Sequence, residues 1–123
     1  MPDLLAFALS LPEAWEDRPW GDTVAKVRKK IFVFVGSEHV MVKLEEAHGH
    51  ALSIEGAEPT GYGLGKAGWV TVPVAGVPVD VLRDWIEESY RLVAPKRLVA
   101  LLDSDERVGE ERAEVAASRR DDA

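Results

Sequence analysis

Val24-Ala25-Lys26-Val27-Arg28-Lys29-Lys30-Ile31-Phe32-Val33-Phe34-Val35-Gly36-Ser37-Glu38-His39-Val40-Met41-Val42-Lys43-Leu44 is the stretch that decides the fold. β-Branched and aromatic residues crowd it in three runs, Val24 to Val27, Ile31 to Val35 and Val40 to Leu44, separated by Arg28-Lys29-Lys30 and by Gly36-Ser37-Glu38. Such residues suit a pleated surface, and connections this short allow only antiparallel pairing, because a parallel crossover needs a dozen residues or more. Three antiparallel strands are predicted. Ile31 to Val35 is apolar at both parities, which predicts a middle strand covered on both faces, whereas Lys26 and Lys43 give the flanking strands an alternating pattern.

Outward from this stretch the periodicity changes. Toward the N-terminus, Asp3 can cap a short helix through Leu11, with Leu4, Leu5, Ala8, Leu9 and Leu11 as its apolar stripe and Pro12 as its stop. Toward the C-terminus, a short helix is expected around Ala47 to Ile54. The glycine-rich Gly61 to Gly68 then leads into a fourth strand, Trp69 to Val72, ended by Pro73. A longer helix follows, with Asp80 as the expected N-cap and Leu82, Trp85, Ile86, Ser89, Tyr90 and Val93 on one face at the 3.6-residue period. Pro95 interrupts it, and Leu98 to Leu102 restarts as a short helix. The fold class is therefore α+β: a two-layer sandwich of a mainly antiparallel sheet, with the N- and C-terminal helices on one face. Residues 1–102 form one domain. Residues 103–123, with Val108, Val115 and a few alanines among the charges, lack an apolar face and are expected to be a flexible or loosely helical tail.

The 123 residues suit a single core, and with 46% hydrophobic and 30% charged residues the chain can fill that core and keep a polar surface. There is no cysteine, which excludes disulfides and thiolate metal sites. The N-terminus lacks the basic flank of a leader peptide, and no apolar run approaches the roughly 20 residues of a membrane span, so a cytoplasmic protein without a membrane partner is expected. The net charge is −7, of which −4 falls in residues 103–123, with eight acids against four arginines. Residues 18–43 are locally basic: Arg18, Lys26, Arg28, Lys29, Lys30 and Lys43 outnumber Asp22 and Glu38.

No catalytic constellation is legible. The chain has no G-x-S-x-G elbow, no H-E-x-x-H motif and no cysteine nucleophile. The Gly65-Lys66 pair resembles a phosphate loop, yet Thr60 stands where such a loop needs glycine, and Ala67 replaces the magnesium-binding hydroxyl. A turn before a strand is the simpler reading, with Trp69 anchoring it in the core. Glu45, Glu46, His48 and His50 could offer metal ligands, but from one short segment without a second ligand pair, so solvated turn histidines are expected and no metal or cofactor is implied.

The basic hairpin carries the functional expectation. A tight turn projects Arg28, Lys29 and Lys30 together at its tip, with Lys26 just before it, a shape suited to lie along phosphates. Edge protection against aggregation is the competing explanation. At this point the residues resemble a family. Ala8-Leu9-Ser10-Leu11-Pro12, Glu16, Trp20-Gly21, Lys26-Val27, Lys30-Ile31-Phe32, Gly68-Trp69-Val70 and the Trp85/Tyr90 helix ending at Ala94-Pro95 are together similar to the MmcQ/YjbR family of small bacterial proteins, over about residues 4–102. That resemblance implies a CyaY-like or secretion-chaperone-like α+β fold and a DNA-binding role in which β-hairpins act as two wings. Lys26, Lys30, Lys66 and Trp69 match the family's recurring Lys and Trp positions. The expected partner is DNA, met by Lys26, Arg28, Lys29, Lys30 and Lys66. The alternative is a protein or peptide held in an aromatic groove bordered by Trp15, Trp20, Tyr62 and Trp69.

Overall fold

A computed structural model of the chain describes residues 4–61 and 64–103. Helix α1 spans Leu4–Leu9, strand β1 Ala14–Asp17, β2 Val24–Val27, β3 Lys30–Val35 and β4 His39–Lys43. Helix α2 spans His48–Leu52, β5 Glu58–Pro59, β6 Trp69–Pro73 and α3 Val79–Val93; residues 96–103, the last ones described, lie in a further helix, α4. Two short 3-10 turns, Pro19–Gly21 and Leu64–Ala67, precede β2 and β6. The strands make one antiparallel sheet in the order β1-β2-β3-β4-β6-β5, with α1 and α3 packed together on one face. This is the expected α+β sandwich, with the three strands of Val24 to Leu44 at its centre.

The hydrophobic core lies between the sheet and α1 and α3. Val33, Val40, Val42, Val70 and Val72 meet Leu82, Ile86 and Tyr90 there, all nearly inaccessible to water. The double-parity pattern of Ile31 to Val35 has a more local cause than two covered faces. The β2–β3 register shifts so that Ala25 faces Val33 while Lys26 faces Ile31, and the extra residue is Phe32. A bulge of this kind lets two successive side chains serve one core. Phe32 and Val33 both join the helix-side cluster, and the Phe32 ring stands edge-on to Tyr90 at 5.2 Å.

Two strands escape the sequence reading. β1 and β5 are the sheet's edges, each paired on one side only, and they carry Glu16, Asp17, Glu58 and Pro59. Charges and proline are what an edge requires to resist further pairing, and they dilute the strand signal. The expected Asp80 cap is corrected as well: α3 begins at Val79 behind Pro78, whose carbonyl accepts from Val81 and Leu82, and Asp80 sits inside the first turn. There its charge faces the positive end of the helix dipole. α3 ends where Ala94 turns extended ahead of Pro95, the conformation that a following proline favours. Helix α1 stops at Leu9, two residues short of expectation, although Leu11 remains buried; the expected Asp3 cap lies outside the described residues.

Candidate functional site

The β2–β3 turn consists of Arg28 and Lys29, since Val27 pairs with Lys30. Arg28 has φ +57, a left-handed conformation that costs a residue with a side chain roughly 1–2 kcal/mol. Glu13, ahead of β1, has φ +59. These two residues hold each other: Arg28 Nε donates to Glu13 Oε1 at 2.9 Å. The Arg28 carbonyl is fixed too, accepting a 2.9 Å hydrogen bond from Trp15 Nε1. Arg28 is thereby drawn back onto β1.

Lys26 is tied to the same strand. Its Nζ lies 2.8 Å from Asp17 Oδ2 and 5.1 Å from the centre of the Trp15 ring. The hydrogen bond from Lys26, seconded by the Arg18 backbone N–H, holds the Asp17 carboxyl below the usual carboxylate range. Two of the four hairpin cations are thus already paired with acids on, or just ahead of, the strand that the sequence did not reveal.

Lys29 and Lys30 are different. Both are exposed, and among the described residues neither has an ion pair. They line a groove of about 820 Å³ between the hairpin tip and the α3–α4 corner, walled by Val27, Arg28, Val93, Ala94, Pro95 and Lys96. Lys96 is exposed at the start of α4 and also has no ion pair among the described residues. Four cations and no acid line this groove. Of two smaller grooves, one of about 310 Å³ includes Asp22, Glu38 and His39, and one of about 500 Å³ mixes Lys43, Lys66 and His48 with Glu45.

Lys66 therefore stands apart from the hairpin, in a groove that shares no lining residue with the basic one. Its loop has little backbone to offer an anion: the N–H groups of Leu64, Gly65 and Gly68 are bonded to Gly61, Thr60 and Gly65. Gly68, at φ +99, is needed because a Cβ there would lie 2.9 Å from the Leu44 carbonyl oxygen. The aromatic groove does not assemble from Trp15 and Trp69. They lie on β1 and β6, four strand spacings apart, on the order of 19 Å. Trp69 is buried edge-on against Phe34 at 5.7 Å, but on the sheet face opposite the helix-side core, while Trp15 is 44% exposed. Trp20 falls in the Pro19–Gly21 turn, and Tyr62 lies outside the described residues. His50 packs edge-on to Trp85, and among the described residues no three His, Asp or Glu side chains are grouped to hold a metal ion.

Comparison with known proteins places this geometry. The YjbR family model matches residues 9–92, from the end of α1 to the last turn of α3. The chain belongs to the YjbR family. The crystal structure of Deinococcus radiodurans protein DR2400, which has a DUF419 domain, is similar to this YjbR chain with a TM-score of 0.59 and 26% sequence identity, covering 73% of this chain and 75% of that one. Among curated proteins none matches. The YjbR match includes Lys29 and Lys30, whereas Lys96 lies beyond it. No helix among the described residues is long and apolar enough to cross a membrane.

Proposed function

We propose that this YjbR protein is a binding module that engages the phosphate backbone of DNA in the groove between the β2–β3 hairpin and the α3–α4 corner. The observation that carries this reading is the convergence of Lys29, Lys30 and Lys96, unpaired among the described residues, on one acid-free groove of a molecule with net charge −7. Cations left without partners while their neighbours are paired can neutralise phosphate and release its counterions. Helix α4 begins at the same corner, and the positive end of its dipole adds to the field. Val27, Val93, Ala94 and Pro95 provide an apolar wall against which a sugar or base edge can rest.

The wing is narrower than the basic run suggests. Arg28 and Lys26 shape the hairpin through Glu13 and Asp17, and three lysines make the contacts. Binding by so few charges is weak and independent of sequence. The test is a titration with a short duplex, followed by amide shifts. The reading expects shifts at Lys29, Lys30 and residues 93–96, with the Trp15 indole N–H responding through Arg28. An unperturbed spectrum, or shifts gathered around Lys66 instead, would refute it. The peptide-groove alternative would draw on Trp20, Tyr62 and Trp69, because Trp15 lies four strands away from Trp69.

A further inference from the structure

We infer that the groove between the ends of β4 and α3 and the Leu64–Ala67 turn is a second site, in which Lys43, Lys66 and His48 hold a small phosphomonoester that carries hydroxyl groups. The groove measures about 500 Å³, within the range of small-molecule sites, and shares no lining residue with the basic one, so the inference stands or falls apart from the DNA reading. Among the described residues neither lysine has an ion pair, and the His48 ring has no hydrogen bond. Glu45 lines the same groove, yet neither ammonium pairs with its carboxylate. Lys43 is half-buried, and a partly desolvated ammonium without a counter-charge is stabilised by an anion that enters.

The walls are fixed by bonds that leave these side chains free. The Lys43 N–H donates to Ser89 Oγ at 2.8 Å, and the Leu44 N–H donates to the Gly68 carbonyl at 3.0 Å, which ties the end of β4 to α3 and to the turn. Glu88 takes the N–H groups of Glu45, Glu46 and Ala47, so the approach to His48 is held as well. Gly68 contributes through what it lacks. A Cβ there would lie 2.9 Å from the Leu44 carbonyl oxygen and 3.8 Å from Lys43 Cγ, so the Lys43 stem rests against bare backbone two residues from Lys66. Sites held on a fixed scaffold lose less on binding.

The donor set selects the ligand. Ammonium groups bind phosphate as point charges, whereas a flat carboxylate is best met by the arginine fork, and no arginine lines this groove. A phosphomonoester brings about −2 charge and roughly three acceptor oxygens, one for each ammonium and one for the imidazole N–H. Glu45 can accept from hydroxyls on the rest of the molecule, and Leu92, 37% exposed, gives that part an apolar rest. The same carboxylate repels the long row of charges on a nucleic acid, which restricts the site to a small ligand.

The test titrates glycerol phosphate into the full-length protein at constant ionic strength and follows amide shifts. Saturable shifts are expected at Lys43, Glu45 and residues 65–68, with a Kd of about millimolar order, as a few polar contacts in an open groove allow. Lys66→Ala should weaken binding about three- to tenfold without unfolding the protein, because Lys66 is exposed. Adding Lys43→Met should abolish the shifts. Inorganic phosphate should bind more weakly, since it leaves Glu45 and Leu92 without a contact, and succinate more weakly still, since its charges are carboxylates. Shifts that gather at Lys29, Lys30 and residues 93–96, or no shifts at all, would overturn the inference. So would a Lys66→Ala variant that binds like the wild type, or glycerol or succinate acting as strongly as the phosphate ester. Inorganic phosphate binding as tightly as the ester would overturn the assignment to a phosphomonoester.

Discussion

Ser89→Ala should be among the most damaging single-atom deletions in this protein. Ser89 lies on the apolar face of α3, fully buried, where the helical pattern calls for a hydrophobic residue. Its hydroxyl donates to the Phe32 carbonyl at 2.5 Å and accepts from the Lys43 N–H at 2.8 Å. Continuing the β3–β4 register of Val33 with Val42 by one step places Phe32 opposite Lys43, so the hydroxyl stands in for one missing bond of the ladder. Phe32 is the extra residue of the β2–β3 bulge, and the side chain of the helix ties it to Lys43 of β4. Alanine would leave a buried donor and a buried acceptor unpaired at about 1–3 kcal/mol each, against a gain in helix propensity of about 0.5 kcal/mol. With partial relaxation, a net loss of about 2–4 kcal/mol is expected, lowering Tm by about 10–20 °C for a domain of this size. Urea unfolding followed by circular dichroism would measure it. A loss below about 0.5 kcal/mol, with the fold intact, would refute the bridging role.

Glu88 Oε2 accepts from three consecutive backbone N–H groups, those of Glu45, Glu46 and Ala47, at 2.7, 2.8 and 3.3 Å, and so pins the start of α2 to α3. Glu88→Ala should cost about 1–2 kcal/mol, with Glu88→Gln costing less, as read by chemical denaturation. Because the Asp17 carboxyl is held low by Lys26, its share of stability is present above the ordinary carboxylate range and lost as pH falls through its depressed value. Lys26→Met should bring the Asp17 titration, followed by carbonyl NMR, back toward the ordinary range. Burial pushes the Tyr90 hydroxyl up, with Glu13 adding to the shift, and that hydroxyl donates to the Pro12 carbonyl at 2.7 Å. Stability from this group should persist below the usual tyrosine range and be lost as pH rises through the raised value. Tyr90→Phe should flatten that alkaline loss and cost about 1 kcal/mol near neutrality.

Strands with continuous β-branched character were legible in the sequence, as were the helix that carries Trp85 and Tyr90 and the proline break after it. Their signals are local: period, capping and proline geometry act within a few residues. What stayed hidden depends on register. Ala14-Trp15-Glu16-Asp17 is too short and too acidic to announce an edge strand, yet its pairing with β2 brings Asp17 to Lys26 and Glu13 to Arg28. Without that strand, every hairpin lysine and arginine counts as available. An acidic cluster at Glu13, Glu16 and Asp17 close before a basic hairpin was the signal that could have suggested it. Lys96 was missed for a similar reason, since only the passage of α3 across the sheet brings the Pro95 corner to the hairpin tip. Lys66 enters the same group through the family resemblance, which carries no distances, and in the structure it lines a separate groove.

The central claim is that Lys29, Lys30 and Lys96 together meet phosphate, and the salt dependence of duplex binding tests it most directly. Three phosphate contacts give a slope of about −2.7 in log affinity against log salt, a loss of about 40-fold between 50 and 200 mM. Substituting all three lysines with alanine should flatten the slope nearly to zero. Stability should change little, because the three side chains are exposed. A wild-type protein that binds no duplex even near 50 mM salt, or a triple variant that keeps the full slope, would contradict the account.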